Sequence, residues 1–154
     1  MRILGRGRLE REDGAELIEF SFIAFMFIIV LLSVVELGRM ILVYTTVANA
    51  ARAGARYAIV HGQERTGSGI NGPSGPGCGP NSCTQINTVV KNFAAAGLVN
   101  TANLTIAVAY PNGSNAAGSP VTVTVSYTYD PLVGYFKSIL NKTLGSTSQG
   151  VITF

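Results

Sequence analysis

Gly14-Ala15-Glu16-Leu17-Ile18-Glu19-Phe20 decides the architecture, because a stretch without any charge follows directly and runs from Phe20 to Val35. A helix that crosses a bilayer needs about 20 apolar residues. Phe20 to Tyr44 supplies them, with one interruption at Glu36 and Arg39 near its far end. The run is longer than the apolar core of a cleaved secretory signal. No small-residue cleavage site closes it, and Glu36 and Arg39 follow in helical phase. Upstream lies a short leader, residues 1–14, with Arg2, Arg6, Arg8 and Arg11. Basic residues set topology while acids count little, so Glu10, Glu12 and Asp13 do not cancel the signal. The N-terminus is expected in the cytoplasm and everything after the span outside it. The leader, with Gly5 and Gly7 and no apolar period, reads as disordered and removable.

From Ala15 to about Val60 there is no proline and helix formers dominate. A helix of about 46 residues is about 69 Å long, against a hydrocarbon core of about 30 Å. Half of it must therefore protrude or pack on something else. Phe20 to Leu32 is apolar on every face, as lipid or a filament core requires. Thr45 to Ala58 instead carries Ala48, Ala50, Ala51, Ala53, Gly54 and Ala55, with Arg52 and Arg56 one turn apart. Small residues permit close backbone approach, so the face opposite the arginines is the expected packing face. Glu36 and Arg39, three apart, can pair and lower the cost of charge at the membrane edge.

His61 and Gly62 end the helix. Residues 62–82 are rich in Gly, Pro, Ser and Asn and read as a loop without a core of its own. Cys83 or Thr84 to Ala96 reads as an amphipathic helix, with Ile86, Val89, Val90 and Phe93 at helical spacing, Thr84 as N-cap and Gly97 as stop. The period then becomes two. Leu104, Ile106 and Val108 alternate with small residues; Val121, Val123 and Val125, continued by Tyr127 and Tyr129, alternate with Thr and Ser. These are two half-buried strands, paired antiparallel in the simplest connection. Leu132 to Leu140 reads as a turn or short helix covering the sheet, and Ser146 to Phe154 as a third strand weakened by Gly150. The fold class is α+β. The organisation is a leader (1–14), a long helix (15–60) with a span at about 20–44, and an extracytoplasmic head (61–154) with a second helix and two or three antiparallel strands.

The 154 residues are 47% apolar and only 12% charged, with net charge +3. Four arginines of that excess lie in the leader, and Lys91, Lys137 and Lys142 are scattered, so nucleic acid is not an expected partner. Cys78 and Cys83 are the only cysteines. Outside the cytoplasm an even pair reads as a disulfide; zinc is the rival, although it wants four ligands and His61 is the only histidine. His61 reads as a surface residue. Catalysis needs a base, an orienter and a nucleophile that converge. With one histidine and one acid, Asp130, beyond Glu64, no triad or carboxylate pair is available. No enzyme activity, cofactor or metal is expected.

A basic leader, then Gly14, a glutamate at the fifth position after it, Phe20 at the sixth and an apolar run together resemble the processing site of type IV prepilins. Val35-Glu36-Leu37-Gly38-Arg39-Met40 and Asn49-Ala50-Ala51-Arg52-Ala53-Gly54-Ala55-Arg56-Tyr57-Ala58 extend the resemblance to the TadE family of pilin-like proteins, from the Tad or Flp-type pilus and secretion machinery. Tyr127-Thr128-Tyr129-Asp130-Pro131-Leu132 resembles that family's strand ending on aromatics before a proline. Ala53-Gly54 departs from it, since many members carry an acid before the glycine. The resemblance implies that a prepilin peptidase cuts between Gly14 and Ala15. It implies that Glu19 and Phe20 serve assembly, and that the partners are the membrane and other pilin or pseudopilin subunits. It implies a bacterial inner-membrane protein that can be built into a filament, acting as a minor pilin or pseudopilin. A major filament subunit and a binding module on an uncleaved signal anchor are the alternatives.

Overall fold

The computed structural model describes residues 6–65, 72, 78–79, 82–97 and 99–153. Helix α1 spans Arg6–Ile59. It therefore starts within the leader, where disorder is expected from sequence. Leu9 to Asp13 hold neither proline nor glycine, and propagating an existing helix by one turn is far easier than nucleating one. The chain divides into two units, one ending at Gly38 and one beginning at Arg39.

In the first unit most apolar side chains of α1 from Leu17 onward are exposed, with Ala24 and Ile29 half-buried and Glu36 buried. Their two hydroxyls are satisfied inside the helix. Ser21 Oγ donates to Leu17 O at 2.7 Å, and Ser33 Oγ donates to Ile29 O at 2.7 Å.

The second unit contains the rest of α1 and the head. Val43, Val47, Ala50, Ala51, Gly54, Ala55 and Ala58 form one buried stripe at helical spacing, and Arg52 and Arg56 are exposed on the other side. A two-stranded hairpin, β1 (Cys78–Gly79) and β2 (Ser82–Cys83), leads into α2 (Thr84–Ala96). Cys83, not Thr84, is the N-cap residue, because the extended backbone of the hairpin ends there and Thr84 is already helical; no side chain caps the helix. Gly97 ends it as expected. Most of the Gly/Pro-rich loop expected at 62–82 lies outside the described residues.

Strands β3 (Leu104–Ala109), β4 (Pro120–Thr128) and β5 (Thr143–Val151) form an antiparallel sheet in the order β3-β4-β5. Val121, Val123, Val125 and Tyr127 of the central strand face inward, and buried Tyr129 continues that face. The third strand begins three residues earlier than its sequence suggests, since Leu144 pairs with Tyr127 in register. Gly150 is accommodated because the Ile59 side chain fills the space its own would take.

The sheet runs alongside the second half of α1. At one end Thr153 N donates to Ile59 O at 3.0 Å and Ile152 N donates to Ser119 O at 2.9 Å. At the other end Arg39 meets Tyr129 and Asp130. Arg39 to Ile59 spans about 30 Å of helix, and Pro120 to Tyr129 spans about 30 Å of strand, so the two match in length. Helix α2 lies antiparallel to α1: Ile86 and Val90 face Gly54, and Gly97 lies against Thr46. The connections at residues 60–65, the β1–β2 hairpin and 110–119 therefore gather at the Ile59 end, while the β4–β5 connection lies at the Arg39 end.

Gly54 is where α1, α2 and β4 converge. A Cβ there would sit 2.6 Å from Val90 Cγ2 and 3.2 Å from Val123 Cγ1. Alanine gains about 1 kcal/mol over glycine in a helix, but overpacking costs about 1–3 kcal/mol, and the branched, buried Val90 cannot swing aside. Gly54→Ala is expected to lower stability, seen as a lower urea midpoint with unchanged slope. Adding Val90→Ala should return part of the loss through coupling of the two sites; strictly additive losses would show that the contact is not the cause.

Candidate functional site

The bond between Gly14 and Ala15 lies within α1, and a Cβ placed on Gly14 would meet nothing within 4 Å. Ala15, Glu19 and Phe20 are exposed. Four residues is about one helical turn, so Ala15 and Glu19 share a face. Helix α1 from Gly14 to Ile59 is long and apolar enough to cross a membrane, and none of its most apolar window is buried. That exposure separates it from the core helix of a soluble domain, which passes the same length test while buried. The internal bonds of Ser21 and Ser33 complete the picture, because a hydroxyl in hydrocarbon has no water to turn to.

The joint between helix and head was not announced by the sequence. Arg39 Nη1 donates to Asp130 O at 3.1 Å and to Tyr129 Oη at 3.5 Å, and its guanidinium lies 5.1 Å from the centre of the Tyr129 ring. Tyr129 is fully buried, so the cation–π contact is partly desolvated and worth up to about 2 kcal/mol. Asp130 spends its own carboxylate on Lys137, at 3.3 Å, an exposed pair that contributes little. The one sequence-level signal was the placement of Tyr129 and Asp130 at the end of an inward-facing valine series.

His61 is half-buried at the end of α1. Its ring stacks on Tyr57 at 3.7 Å, and Nδ1 lies 2.8 Å from Tyr57 O. A carbonyl only accepts, so Nδ1 carries the proton and closes the end of α1. Burial lowers the His61 pKa below its ordinary value, which favours the neutral ring; the Tyr57 carbonyl opposes this and Arg65 adds to it.

Cys78 and Cys83 form a disulfide across the β1–β2 hairpin. Tyr110, whose pKa burial raises to about 12, points its hydroxyl at Cys83 Sγ, 3.9 Å away. The disulfide sulfur has no proton, so Tyr110 donates. Closing so short a loop is worth about 2 kcal/mol in the entropic account. Cys78→Ser is preferable to replacing the fully buried Cys83. It is expected to lower unfolding stability by about that amount, as dithiothreitol treatment of the native protein should; equal urea midpoints for oxidised and reduced protein would contradict it.

Helix α1 thus supplies one candidate membrane span among the described residues and, in its second half, part of the core of a small α+β head. Residues 14–56 match the family model described as TadE-like protein. The match covers the candidate span and the small-residue half of α1 but stops before the head. No curated protein and no solved structure shows significant similarity to the chain.

Proposed function

We propose that this protein is a minor pilin or pseudopilin that takes part in assembly of a Tad-type pilus or secretion filament. It is inserted in the bacterial inner membrane through α1, with its leader in the cytoplasm and its head outside. The observation that carries this reading is the coincidence of the TadE-like match with an apolar helix whose most apolar window is unburied and whose hydroxyls are bonded internally. The Cys78–Cys83 disulfide supports the placement of the head, since such bonds persist in oxidising compartments. Prepilin peptidase is the proposed processing partner, cutting after Gly14. Glycine disfavours helix by about 1 kcal/mol relative to alanine, so opening α1 for cleavage is easiest there.

N-terminal sequencing of protein isolated from native membranes tests this. A mature chain that starts at Ala15 is expected. A chain that retains the leader would overturn processing and leave an anchored binding module. A major, self-polymerising subunit would use the alanine-rich half of α1 as its helix-packing surface. That stripe is buried within its own unit, so it offers nothing to a neighbour, and the minor role is favoured.

A further inference from the structure

Residues 131–142 connect β4 to β5 at the Arg39 end of the second unit. Sequence suggests that this apolar segment covers the sheet. The expected turn or short helix is present as a 3-10 turn (Gly134–Phe136) that runs into α3 (Lys137–Leu140), and Leu140 packs against the core, but Leu132, Tyr135 and Ile139 are 73%, 75% and 62% exposed. Tyr135 and Ile139 lie four residues apart along the 3-10 turn and α3, and Leu132 lies in the bend just before them. Three large apolar side chains so close together on a small head mark a contact surface.

We propose that this segment is a lipid-contacting foot, in which Leu132, Tyr135 and Ile139 enter the membrane interface and hold the head down on the bilayer. The proposal rests on the reading that α1 spans the membrane. Phe20 to Arg39 is about 20 helical residues, or about 30 Å, which is the thickness of the hydrocarbon core. Arg39 therefore falls at the headgroup level. Because Arg39 Nη1 holds Asp130 O at 3.1 Å, the segment that starts one residue later is fixed at the same level. Ile41, Leu42 and Tyr44 are exposed on α1 beside this end, so the apolar surface continues there. Tyrosine suits the position, with an apolar ring and a wet hydroxyl.

Charge chooses lipid over a second copy of the chain. Arg39, Lys137 and Lys142 lie on or next to this segment; against these three cations stand two acids, Asp130, paired with Lys137, and Glu36, one turn before Arg39, so the rim is net positive by one. A net cationic rim attracts anionic headgroups and repels the same surface on another copy.

The chain has no tryptophan, so single substitutions report position without background. Full-length Tyr135→Trp protein is reconstituted in vesicles of phosphatidylcholine and phosphatidylglycerol whose acyl chains are brominated either near the headgroup or near the chain end. The expected result is a blue-shifted emission, quenched more by the shallow bromines than by the deep ones and independent of the protein-to-lipid ratio. Phe27→Trp reports the span and should be quenched most by the deep bromines. Val60→Trp, about 30 Å along α1 from Arg39, should not be quenched. Quenched Phe27→Trp with unquenched Tyr135→Trp overturns the foot and leaves the anchor standing, whereas unquenched Phe27→Trp overturns the anchor itself. A blue shift of Tyr135→Trp that grows with protein density, without lipid quenching, overturns the foot in favour of a second copy. Equal quenching of Val60→Trp overturns it in favour of a head lying flat on the membrane.

Discussion

Glu19→Gln protein is expected to insert into the membrane and to be processed, yet to be absent from assembled filaments or assembly complexes. Cleavage after Gly14 leaves a positive amine on Ala15, one helical turn from Glu19 on the same face. An isolated carboxylate costs about 2.5–3.5 kcal/mol if it reaches the centre of a bilayer, so a helix that enters an apolar assembly favours neutralising it. An ion pair at 4 Å is worth about 4 kcal/mol at an effective dielectric constant of 20. In the proposed filament that pair would form between the glutamate of one subunit and the amine of its neighbour and so set the stagger between helices. Before assembly it can close within one helix. Glutamine preserves size and hydrogen bonding and removes only the charge. The check is the ratio of processed Glu19→Gln protein in sheared filament fractions to that in membranes, compared with wild type. A normal ratio would sink the charge-pair role and leave Glu19 as a hydrated residue at the cytoplasmic interface.

Val123→Asp is expected to unfold the head. Val123 is fully buried at the middle of β4, opposite Val108 on one side and Ser148 on the other, and it faces Gly54 of α1. A carboxylate there loses its hydration without a cation to receive it, at a cost of several kcal/mol. Domains of this size have only about 5–15 kcal/mol in hand. Val123→Ala removes two methyl groups and should cost about 1–3 kcal/mol. Limited proteolysis of the detergent-solubilised full chain measures both. The alanine variant should stay resistant with a lowered urea midpoint, while the aspartate variant should be cut throughout residues 61–154. An aspartate variant as resistant as wild type would show that the valine face does not look toward α1.

The elements that could be read from residues alone are those whose signal is local. Phe20 to Val35 excludes any fold that exposes it to water, because no arrangement of one small head can cover so long an apolar cylinder. The alternation of Val121, Val123 and Val125 with threonines places every valine on one face whatever the neighbours are. The side of α1 opposite Arg52 and Arg56 had to be the buried one for the same geometric reason. Cysteines five positions apart left a choice between sulfur and metal, and the antiparallel pairing of Cys78 with Cys83 resolved it.

What the sequence by itself determined is therefore the anchor, the strand faces and the packing stripe, since each follows from the periodicity of a single element. Only the tertiary structure decided that Arg39 turns to Tyr129 and Asp130, about 90 residues away. It also decided that Leu132, Tyr135 and Ile139 point away from the sheet they resemble covers for. Apolar composition says that a segment seeks a nonpolar surface; it does not say which one. Here the inner face of the sheet is largely filled by α1 and α2, whose small residues let them approach closely, so Leu140 of the β4–β5 connection packs on the core while Leu132, Tyr135 and Ile139 are left to find a surface elsewhere.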